Sequence, residues 1–341
     1  MDSILSWNVR GMNAPNKQED ILLFLQKHRV GMIGFLETKV QNSNIDAVMH
    51  RVCPNWTWIH NATTEERGRI ILSWHPRKYR VKVIYISDQI IHGEATHLPT
   101  RRRFFISFIY GRNLVEQRLP LWESLRTISN SISDPWCVMG DFNSILNQED
   151  RIGGTIVTES ETKDFAECIL YCGLQEFSFE GAFYTWNNKH IWSKIDRALH
   201  NNLWYAQLDF THVHYLSQGL SDHSPILVSF PKCPKPKYSF QFCDMWAKDK
   251  NFKGIVRFGM SQPQKGSHLG HLQQVLKRLV YPLKQLSRSK YADIYEQQQK
   301  ARDQLMQIQQ LLQTDPSNMS LLLQEKHSRE HYVAINHSAM L

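Results

Sequence analysis

The first 230 residues contain a long series of short apolar stretches, each ended by polar or turn-forming residues. Short runs rich in Val, Ile, Phe, Tyr and Trp are typical of β-strands. They predict strands at residues 4–9, 30–36, 56–60, 69–74, 80–86, 89–96, 103–110, 136–139, 193–199, 210–214 and 226–230. So many strands in one region indicate two sheets packed face to face.

Three amphipathic stretches, at residues 17–27, 115–129 and 159–172, lie between these strands and predict helices. The last of them is preceded by Thr158, with Glu161 at the capping-box position. Helices interleaved with many strands favour an α/β sandwich over an all-β barrel.

The composition changes abruptly at residues 231–237, where three prolines stand too close together to continue a strand or a helix interior. We therefore expect a domain over residues 1–230, a Pro/Lys linker at 231–237 and a helical extension, rich in Gln and Leu, over 238–341. Apolar seams at alternating spacings of four and three predict its first two helices: Leu272, Leu276, Leu279, Leu283 and Leu286, then Ala301, Leu305, Ile308 and Leu312. A third helix is expected from about Ser320, after a break at 314–318.

The composition also excludes several classes of protein. With 42% apolar and 21% charged residues the chain is not disordered as a whole, and its apolar runs are far shorter than the roughly 18 residues of a membrane span. The start shows no secretory leader pattern, and six scattered cysteines favour a reducing compartment. We expect a soluble protein of the nucleus or cytoplasm, and its net charge of +8 favours a polyanionic partner.

Polar residues lie at or near the ends of several predicted strands, at points where side chains from neighbouring strands can converge. They are Asn8, Glu37, Tyr110, Asp141, Asn143, Asp196, Asp222 and His223. Any one of them alone is typical of a turn or of a solvated strand end. Together they suit the hydrolysis of a phosphodiester bond.

That reaction needs a divalent cation, an activated water and groups that stabilise charge on the phosphoryl oxygens. Glu37, with Asp222 or Asp141, could supply the few carboxylates that Mg²⁺ requires. Asp141 could orient or deprotonate the water. The amides of Asn8 and Asn143 could bind phosphate oxygens or hold Asp141 in place.

His223 is the candidate cationic group. A histidine is charged near neutral pH when a carboxylate partners its other ring nitrogen, and Asp196 is the candidate partner. The alternative is that His223 is a turn residue at the start of a strand.

A set of short motifs carries a resemblance to a known family. In chain order they are Ser-Trp-Asn-Val-Arg-Gly-Met at 6–12, Leu-Glu-Thr-Lys at 36–39, Ile-Tyr-Gly at 109–111, Gly-Asp-Phe-Asn at 140–143, Tyr-Thr-Trp at 184–186, Ser-Lys-Ile-Asp-Arg-Ala-Leu at 193–199 and Ser-Asp-His at 221–223. With these motifs, essentially all of residues 1–230 resembles the endonuclease/exonuclease/phosphatase family. Within that family, the chain looks like the apurinic-like endonucleases of plant-type LINE (non-LTR) retrotransposons.

The resemblance implies a four-layered α/β/β/α sandwich, in which two mostly antiparallel sheets are flanked by helices, with a helical C-terminal extension. It also implies a role for each matched residue: Glu37 as the main metal ligand, Asn8 as a holder of the metal and of Asp141, Asp141 to position the nucleophilic water, Asn143 to bind the scissile phosphate, Tyr110 to contact the phosphate or the leaving group, Asp196 to orient His223, His223 to stabilise the transition state, Asp222 as a secondary metal ligand or a structural support, and Thr185 near the phosphate.

The implied cofactor is Mg²⁺, with Mn²⁺ as an alternative. Some members of the family carry an Asp where this chain has Arg10, which favours a single metal ion here. Candidate DNA contacts are Lys39 and the basic run Arg101, Arg102 and Arg103, besides the pairs Arg67 with Arg69 and Arg112 with Arg118. Solvated surface charge is the alternative interpretation of these arginines.

The implied function is Mg²⁺-dependent endonucleolytic cleavage of DNA, which in the parent element nicks the target site and primes reverse transcription. The extension is similar to the segment that leads to reverse transcriptase in plant LINE polyproteins, and element RNA or reverse transcriptase are its candidate partners. No Tyr-x-Asp-Asp polymerase motif occurs in the chain, so we expect no DNA synthesis from it. Two alternatives stay open: a catalytically inactive relic that acts as a binding module, and a phosphatase or phosphodiesterase of the same superfamily.

Overall fold

The computed structural model describes residues 1–62, 68–208, 211–230, 250–261, 275–276, 278–280, 282–283, 286 and 292–340. The chain divides into two compact units. The first comprises Met1–Lys232 and Leu305–Arg329, and the second comprises Cys233–Gln304 and Glu330–Leu341. The predicted linker at 231–237 lies outside the described residues, so the expected domain division stays a prediction.

The first unit contains runs of strands with helices between some of them. The strands are β1 (Ser3–Asn8), β2 (Val30–Val40), β3 (Thr57–His60), β4 (Gly68–Trp74), β5 (Tyr79–Ile86), β6 (Ile90–His97), β7 (Arg102–Tyr110), β8 (Trp136–Asp141), β9 (Arg151–Ile152), β10 (Leu174–Glu176), β11 (Phe179–Gly181), β12 (Trp186–Asn187), β13 (Trp192–Ser193), β14 (Asp196–Asn201), β15 (His212–Tyr215) and β16 (Ile226–Ser229). The helices whose bounds fall among the described residues are α1 (Pro15–Lys27), α2 (Ile45–Val52), α3 (Val115–Ser129), α4 (Glu159–Tyr171), α5 (Leu203–Gln207), α6 (Phe252–Met260), α7 (Ala292–Thr314) and α8 (Met319–Met340).

Two large mixed sheets form the centre of the first unit. The first has the strand order β11-β15-β16-β1-β2-β4-β3, and the second has the order β10-β14-β8-β7-β6-β5. Most neighbouring strands are antiparallel, but three pairs are parallel: β1 with β2, β7 with β8, and β11 with β15. A small third sheet of β12, β13 and β9 lies outside these two.

Alternation along the strands sorts the apolar side chains into separate layers. In β1, Ile4 packs in the core between the sheets, whereas Leu5 belongs to the core beneath α1 and α2. In β8, Met139 packs between the sheets, whereas Val138 belongs to the core beneath α3 and α4. Each such fully buried side chain stabilises the fold by roughly 1.5–3 kcal/mol. The predicted four-layered α/β/β/α sandwich is therefore confirmed.

The predicted helices at 17–27, 115–129 and 159–172 correspond to α1, α3 and α4. The N–H of Thr158 donates to the Glu161 carboxylate at 3.2 Å, so the predicted capping box begins α4. Helix α2 was not predicted, although its spacing is helical: Ile45, Val48, Met49 and Val52 are all buried.

In the extension, α7 contains the second predicted seam, and α8 is the third predicted helix. Only part of the first seam lies among the described residues; there Leu283 and Leu286 are buried against Phe252 and Ile255 of α6. Within the described part of the chain, no helix combines the length and the hydropathy that a transmembrane span requires.

Candidate active site

The polar residues predicted from the strand ends meet at one edge of the two sheets. Asn8 ends β1 and is in register with Leu36 of β2, which directly precedes Glu37. Tyr110 ends β7 and pairs with Asp141 at the end of the parallel strand β8. Asp196 begins β14 and pairs with Asp141 from the other side. Strand direction thus brings side chains that are distant in sequence to one place.

The backbone around this edge adopts conformations that are uncommon for residues with a side chain. Glu37 and Lys39 have φ angles of 50° and 54°, at a point where the pairing of β2 with β4 shifts register. Arg10 and Asn143 both have φ of 47°. Such conformations cost roughly 1–3 kcal/mol each and persist where the surroundings hold them, which is common at functional sites.

Asn8 is buried at the centre of the site. Its Nδ2 lies 3.1 Å from Glu37 Oε2, 2.9 Å from Asp141 Oδ2 and 3.2 Å from His223 Nε2. Its Oδ1 accepts a hydrogen bond from the backbone N–H of Arg10 at 3.0 Å. Because an amide has only two N–H hydrogens, Asn8 serves two of the three neighbours at a time. When His223 is charged its ring nitrogens only donate, so the two hydrogens of Asn8 go to Glu37 and Asp141 and the amide bridges the two carboxylates.

His223 lies between two carboxylates. Its Nδ1 is 2.9 Å from Asp196 Oδ2 and 3.8 Å from Asp141 Oδ2, and all three side chains are almost fully buried. Burial alone lowers the pKa of His223, but the charges of Asp196 and Asp141 outweigh it and raise that pKa. The loop is fixed by Ser221, whose hydroxyl donates to the Asn8 carbonyl at 2.7 Å and accepts from the His223 N–H.

The pKa of Asp141 is also raised. Burial and the nearby charge of Asp196 raise its pKa to about 7, although His223 and the hydrogen bonds from Asn8 and Asn143 act against the rise. The Asn143 N–H donates to Asp141 Oδ1 at 2.9 Å. A carboxylate with such a pKa can accept a proton near neutral pH.

Glu37 faces an open cleft of about 480 Å³, which is also lined by Tyr110, Asp141, Asn143 and His223. The Lys39 ammonium lies 2.6 Å from Glu37 Oε1. Burial raises the pKa of Glu37, but the hydrogen bonds from Lys39 and Asn8 outweigh it, so the pKa is lowered and the carboxylate is charged. For Tyr110, burial and the charges of Glu37 and Asp141 raise the pKa, so its hydroxyl keeps its proton.

Asp222 is turned away from this cleft. Its carboxylate pairs with Arg10 and accepts a hydrogen bond from Trp186 Nε1 at 3.1 Å. It lines a neighbouring cavity instead of the one that Glu37 faces. Of the two roles predicted for Asp222, structural support agrees with this arrangement.

Thr185 is fully buried beneath the site. Its hydroxyl accepts hydrogen bonds from the backbone N–H groups of Ile195 and Asp196 at 3.1 and 3.0 Å. With those partners its hydroxyl is not exposed in the cleft, and its position near a bound phosphate stays a prediction. Its contact is with the segment that carries Asp196.

The arginine run is not brought to the site. Arg102 begins β7 and Tyr110 ends it, so eight residues of extended chain, roughly 26 Å, separate them. Arg101 lies in the turn before β7, and Arg103 forms an ion pair with Asp134 at 2.7 Å. The structure therefore places these arginines away from the catalytic residues, and their contact with DNA stays a prediction.

Of the other predicted arginines, Arg69 lies near the site, with its guanidinium carbon 5.9 Å from the centre of the Tyr110 ring. Arg118 is buried and donates to the carbonyls of Arg112 and Asn113, so it braces a loop. Arg67 lies outside the described residues. Three residues that the sequence did not single out also line the cleft: Asn113 and Thr155 from loops, and Arg151 from β9. Loops carry no periodic pattern by which such residues could have been found.

The donor set can be tested for a metal ion. Among the described residues, one group of three, Asp141, Asp196 and His223, offers ligand atoms that all lie within 4.8 Å of one another. These side chains are already hydrogen-bonded within a buried cluster, whereas Mg²⁺ usually keeps several waters. Glu37 also has hydrogen-bond partners, Lys39 and Asn8, but it is charged and open to the cleft, so its carboxylate fits a hydrated divalent cation better than the buried cluster does.

Comparison with known proteins bears on the whole arrangement. A sequence profile of the Endonuclease/Exonuclease/phosphatase family matches residues 5–223. No curated protein matches the sequence. The fold is similar to the endonuclease domain of TRAS1, a telomere-specific non-LTR retrotransposon, at 10% identity and a TM-score of 0.51, over 67% of this chain and 98% of that one. It is also similar to the AP endonuclease LMAP from Leishmania major, at 13% identity and a TM-score of 0.51, over 67% and 86%. At these identities the likeness is one of fold.

Proposed function

Since this chain belongs to the endonuclease/exonuclease/phosphatase family, whose members are hydrolases, we propose that it is a Mg²⁺-dependent endonuclease that cleaves phosphodiester bonds of DNA. The observation that carries the proposal is the convergence of Glu37, Asn8, Asp141 and His223 at one cleft. This set contains a charged carboxylate for a cation, a carboxylate able to accept a proton, and a histidine whose charge two carboxylates favour.

Glu37 and Asn8 are the residues that would hold Mg²⁺, with Mn²⁺ as a substitute. Bound there, the cation supplies positive charge to a phosphoryl oxygen and lowers the pKa of a bound water. A second cation would need a further carboxylate as a ligand. Arg10 instead places a positive charge there and is paired with Asp222. The proposal is therefore for a single metal ion.

The protein groups divide the work of hydrolysis. Asp141 accepts a proton from the water that attacks phosphorus, since its raised pKa lies near neutral pH. Charged His223, oriented by Asp196, stabilises negative charge on the phosphoryl oxygens as the bond to the leaving oxygen breaks. The Asn143 amide and the Tyr110 hydroxyl line the same cleft and would contact the phosphate or the leaving group.

DNA is the substrate that we propose, for two reasons. The chain carries a net charge of +8, which attracts a polyanion. The two similar folds described above are, by their names, an AP endonuclease and a retrotransposon endonuclease domain. The finer proposal is target-site nicking for a plant-type LINE element, in the nucleus or cytoplasm, with element RNA or reverse transcriptase as further partners of the extension.

A plasmid-nicking assay tests this function. Supercoiled DNA should become open circles with the pure protein in Mg²⁺, and it should stay supercoiled in EDTA. A phosphate monoester and a duplex with one abasic site are run beside it. Hydrolysis of the monoester without nicking would replace the proposal by a phosphatase, and activity on no substrate would favour an inactive relic. Faster cleavage of the abasic duplex would indicate repair-like specificity.

A further inference from the structure

Part of the helical extension forms a hairpin that packs against the strands of the first unit. We call Leu305–Arg329 the tail hairpin: it comprises the last turns of α7, a short turn and the first turns of α8. In the turn, Asn318 Oδ1 accepts from the N–H groups of Ser320 and Leu321 at 3.1 and 3.2 Å and so caps α8. Gln309 Nε2 donates to Glu325 Oε1 at 3.0 Å and joins the two helices.

An apolar contact seats the tail hairpin on the nuclease. Leu312 is 1% exposed and is buried with Tyr184 and Trp192, and Ile308 and Leu322 pack around them. Burial of a leucine contributes roughly 1.5–3 kcal/mol, which a freely mobile tail would not gain. Of the residues that the hairpin contacts, Trp192 belongs to β13 of the small third sheet and Tyr184 shortly precedes β12. This sheet lies next to the catalytic cleft.

A polar contact then fixes the register of the hairpin. The Tyr184 N–H donates to Gln313 Oε1 at 2.9 Å, and Gln313 Nε2 donates to the Tyr184 carbonyl at 3.1 Å. The next residue is Thr185, whose hydroxyl holds the backbone N–H of Asp196. Asp196 in turn holds His223 at 2.9 Å. A continuous set of contacts therefore leads from Gln313 to His223.

A second contact reaches the other side of the histidine. Arg329 Nη1 lies 3.5 Å from the Ser221 carbonyl, and Glu325 holds the guanidinium at 2.6 Å from Nη2. Ser221 bonds both the Asn8 carbonyl and the His223 N–H. The tail hairpin thus touches both segments that determine where the imidazole lies.

We propose that the tail hairpin contributes to catalysis by the nuclease. Gln313 and Arg329 are positioning residues for His223. The proposal rests on the proposed function, because it concerns the same cleavage reaction. It assigns a task to residues that the sequence places in a separate extension. Neither residue touches the substrate; both act through the backbone of the segments that hold Asp196 and His223.

Gln313 offers the sharper test, in the full-length chain. Gln313→Ala removes both hydrogen bonds to Tyr184, and Gln313→Met removes them while keeping a side chain of similar length. Gln307→Ala is the matched control, because Gln307 is exposed on the same helix. With duplex DNA in Mg²⁺, we expect both Gln313 variants to lose about tenfold in kcat, about 1.4 kcal/mol in the barrier, with KM and Tm close to those of the wild type.

Hydrogen–deuterium exchange without substrate gives a readout that does not depend on activity. Peptides covering 184–197 and 221–224 should exchange faster in Gln313→Met than in the wild type or in Gln307→Ala. If the wild type cleaves no DNA but these rates change, the proposed function fails and the positioning stands. Unchanged exchange, an unchanged kcat in Gln313→Met, or a loss of kcat that only follows a lower Tm, would each overturn the positioning.

Discussion

The pairing of Asp196 with His223 can be tested by the substitution Asp196→Asn. The two side chains are 2.9 Å apart and nearly fully buried, and the other carboxylate, that of Asp141, is 3.8 Å from the same nitrogen. At an effective dielectric constant of about 20, unit charges at these separations attract by roughly 6 and 4 kcal/mol. The substitution therefore removes the stronger attraction and keeps the shape.

The net loss is smaller than the Coulomb energy of the pair. The asparagine oxygen still accepts a hydrogen bond from the imidazole, and Asp141 still offers a second, weaker partner. A remaining loss on the order of 3 kcal/mol in transition-state stabilisation corresponds to about a hundredfold lower kcat. The KM for DNA should change little, because Asp196 is buried and does not reach the substrate.

Steady-state nicking of duplex DNA measures both constants. Glu167→Gln, which neutralises an exposed carboxylate of α4, is the control and should behave as the wild type. A kcat for Asp196→Asn within about threefold of the wild type would refute the reasoning. So would a large rise in KM with unchanged kcat, since that pattern belongs to substrate binding.

Three further predictions follow from individual residues. Glu37→Gln should raise the Mg²⁺ concentration for half-maximal nicking about tenfold or more, measured by Mg²⁺ titration; an unchanged requirement would place the cation elsewhere. Arg101→Ala should leave the KM for DNA within about twofold of the wild-type value, because Arg101 lies at the far end of β7. A larger change would indicate that Arg101 contacts DNA. Burial raises the pKa of Asp2, but hydrogen bonds from His97 and Lys78 outweigh it and lower that pKa from 3.8 to about 2. The charged carboxylate therefore stabilises the fold above about pH 4, and this stabilisation is lost as the pH falls towards 2. Asp2→Asn should therefore cost about 1 kcal/mol at pH 7, after allowance for solvent screening, and progressively less below pH 4, by urea denaturation; a constant difference would contradict this.

The strand ends were predictable because the chain changes there from apolar to polar residues. Asn8, Glu37, Tyr110 and Asp141 each follow a buried run, and the sheets bring those ends to one edge. The direction of a strand was equally available from the sequence. It places Arg102 a full strand length from Tyr110, so the arginine run lies away from the catalytic edge.

Other features depend on contacts that no local pattern contains. The hydrogen bonds between Gln313 and Tyr184 join residues 129 positions apart, and the seam around Leu312 indicates only that the helix has an apolar face. Thr185 belongs to a motif, but its hydroxyl accepts hydrogen bonds from backbone N–H groups. Only the structure around β14 reveals these bonds. Sequence patterns predict the apolar faces and the strand ends, whereas packing decides which partner each one meets.

The most direct test of the active site is the nicking rate of Asp141→Asn beside that of the wild type, at equal protein concentration in Mg²⁺. The proton acceptor is lost while the size of the side chain is kept, so the rate should fall by a factor of roughly 10²–10⁴ with the fold intact. A folded Asp141→Asn protein that nicks DNA at near the wild-type rate would show that hydrolysis does not occur at this cleft.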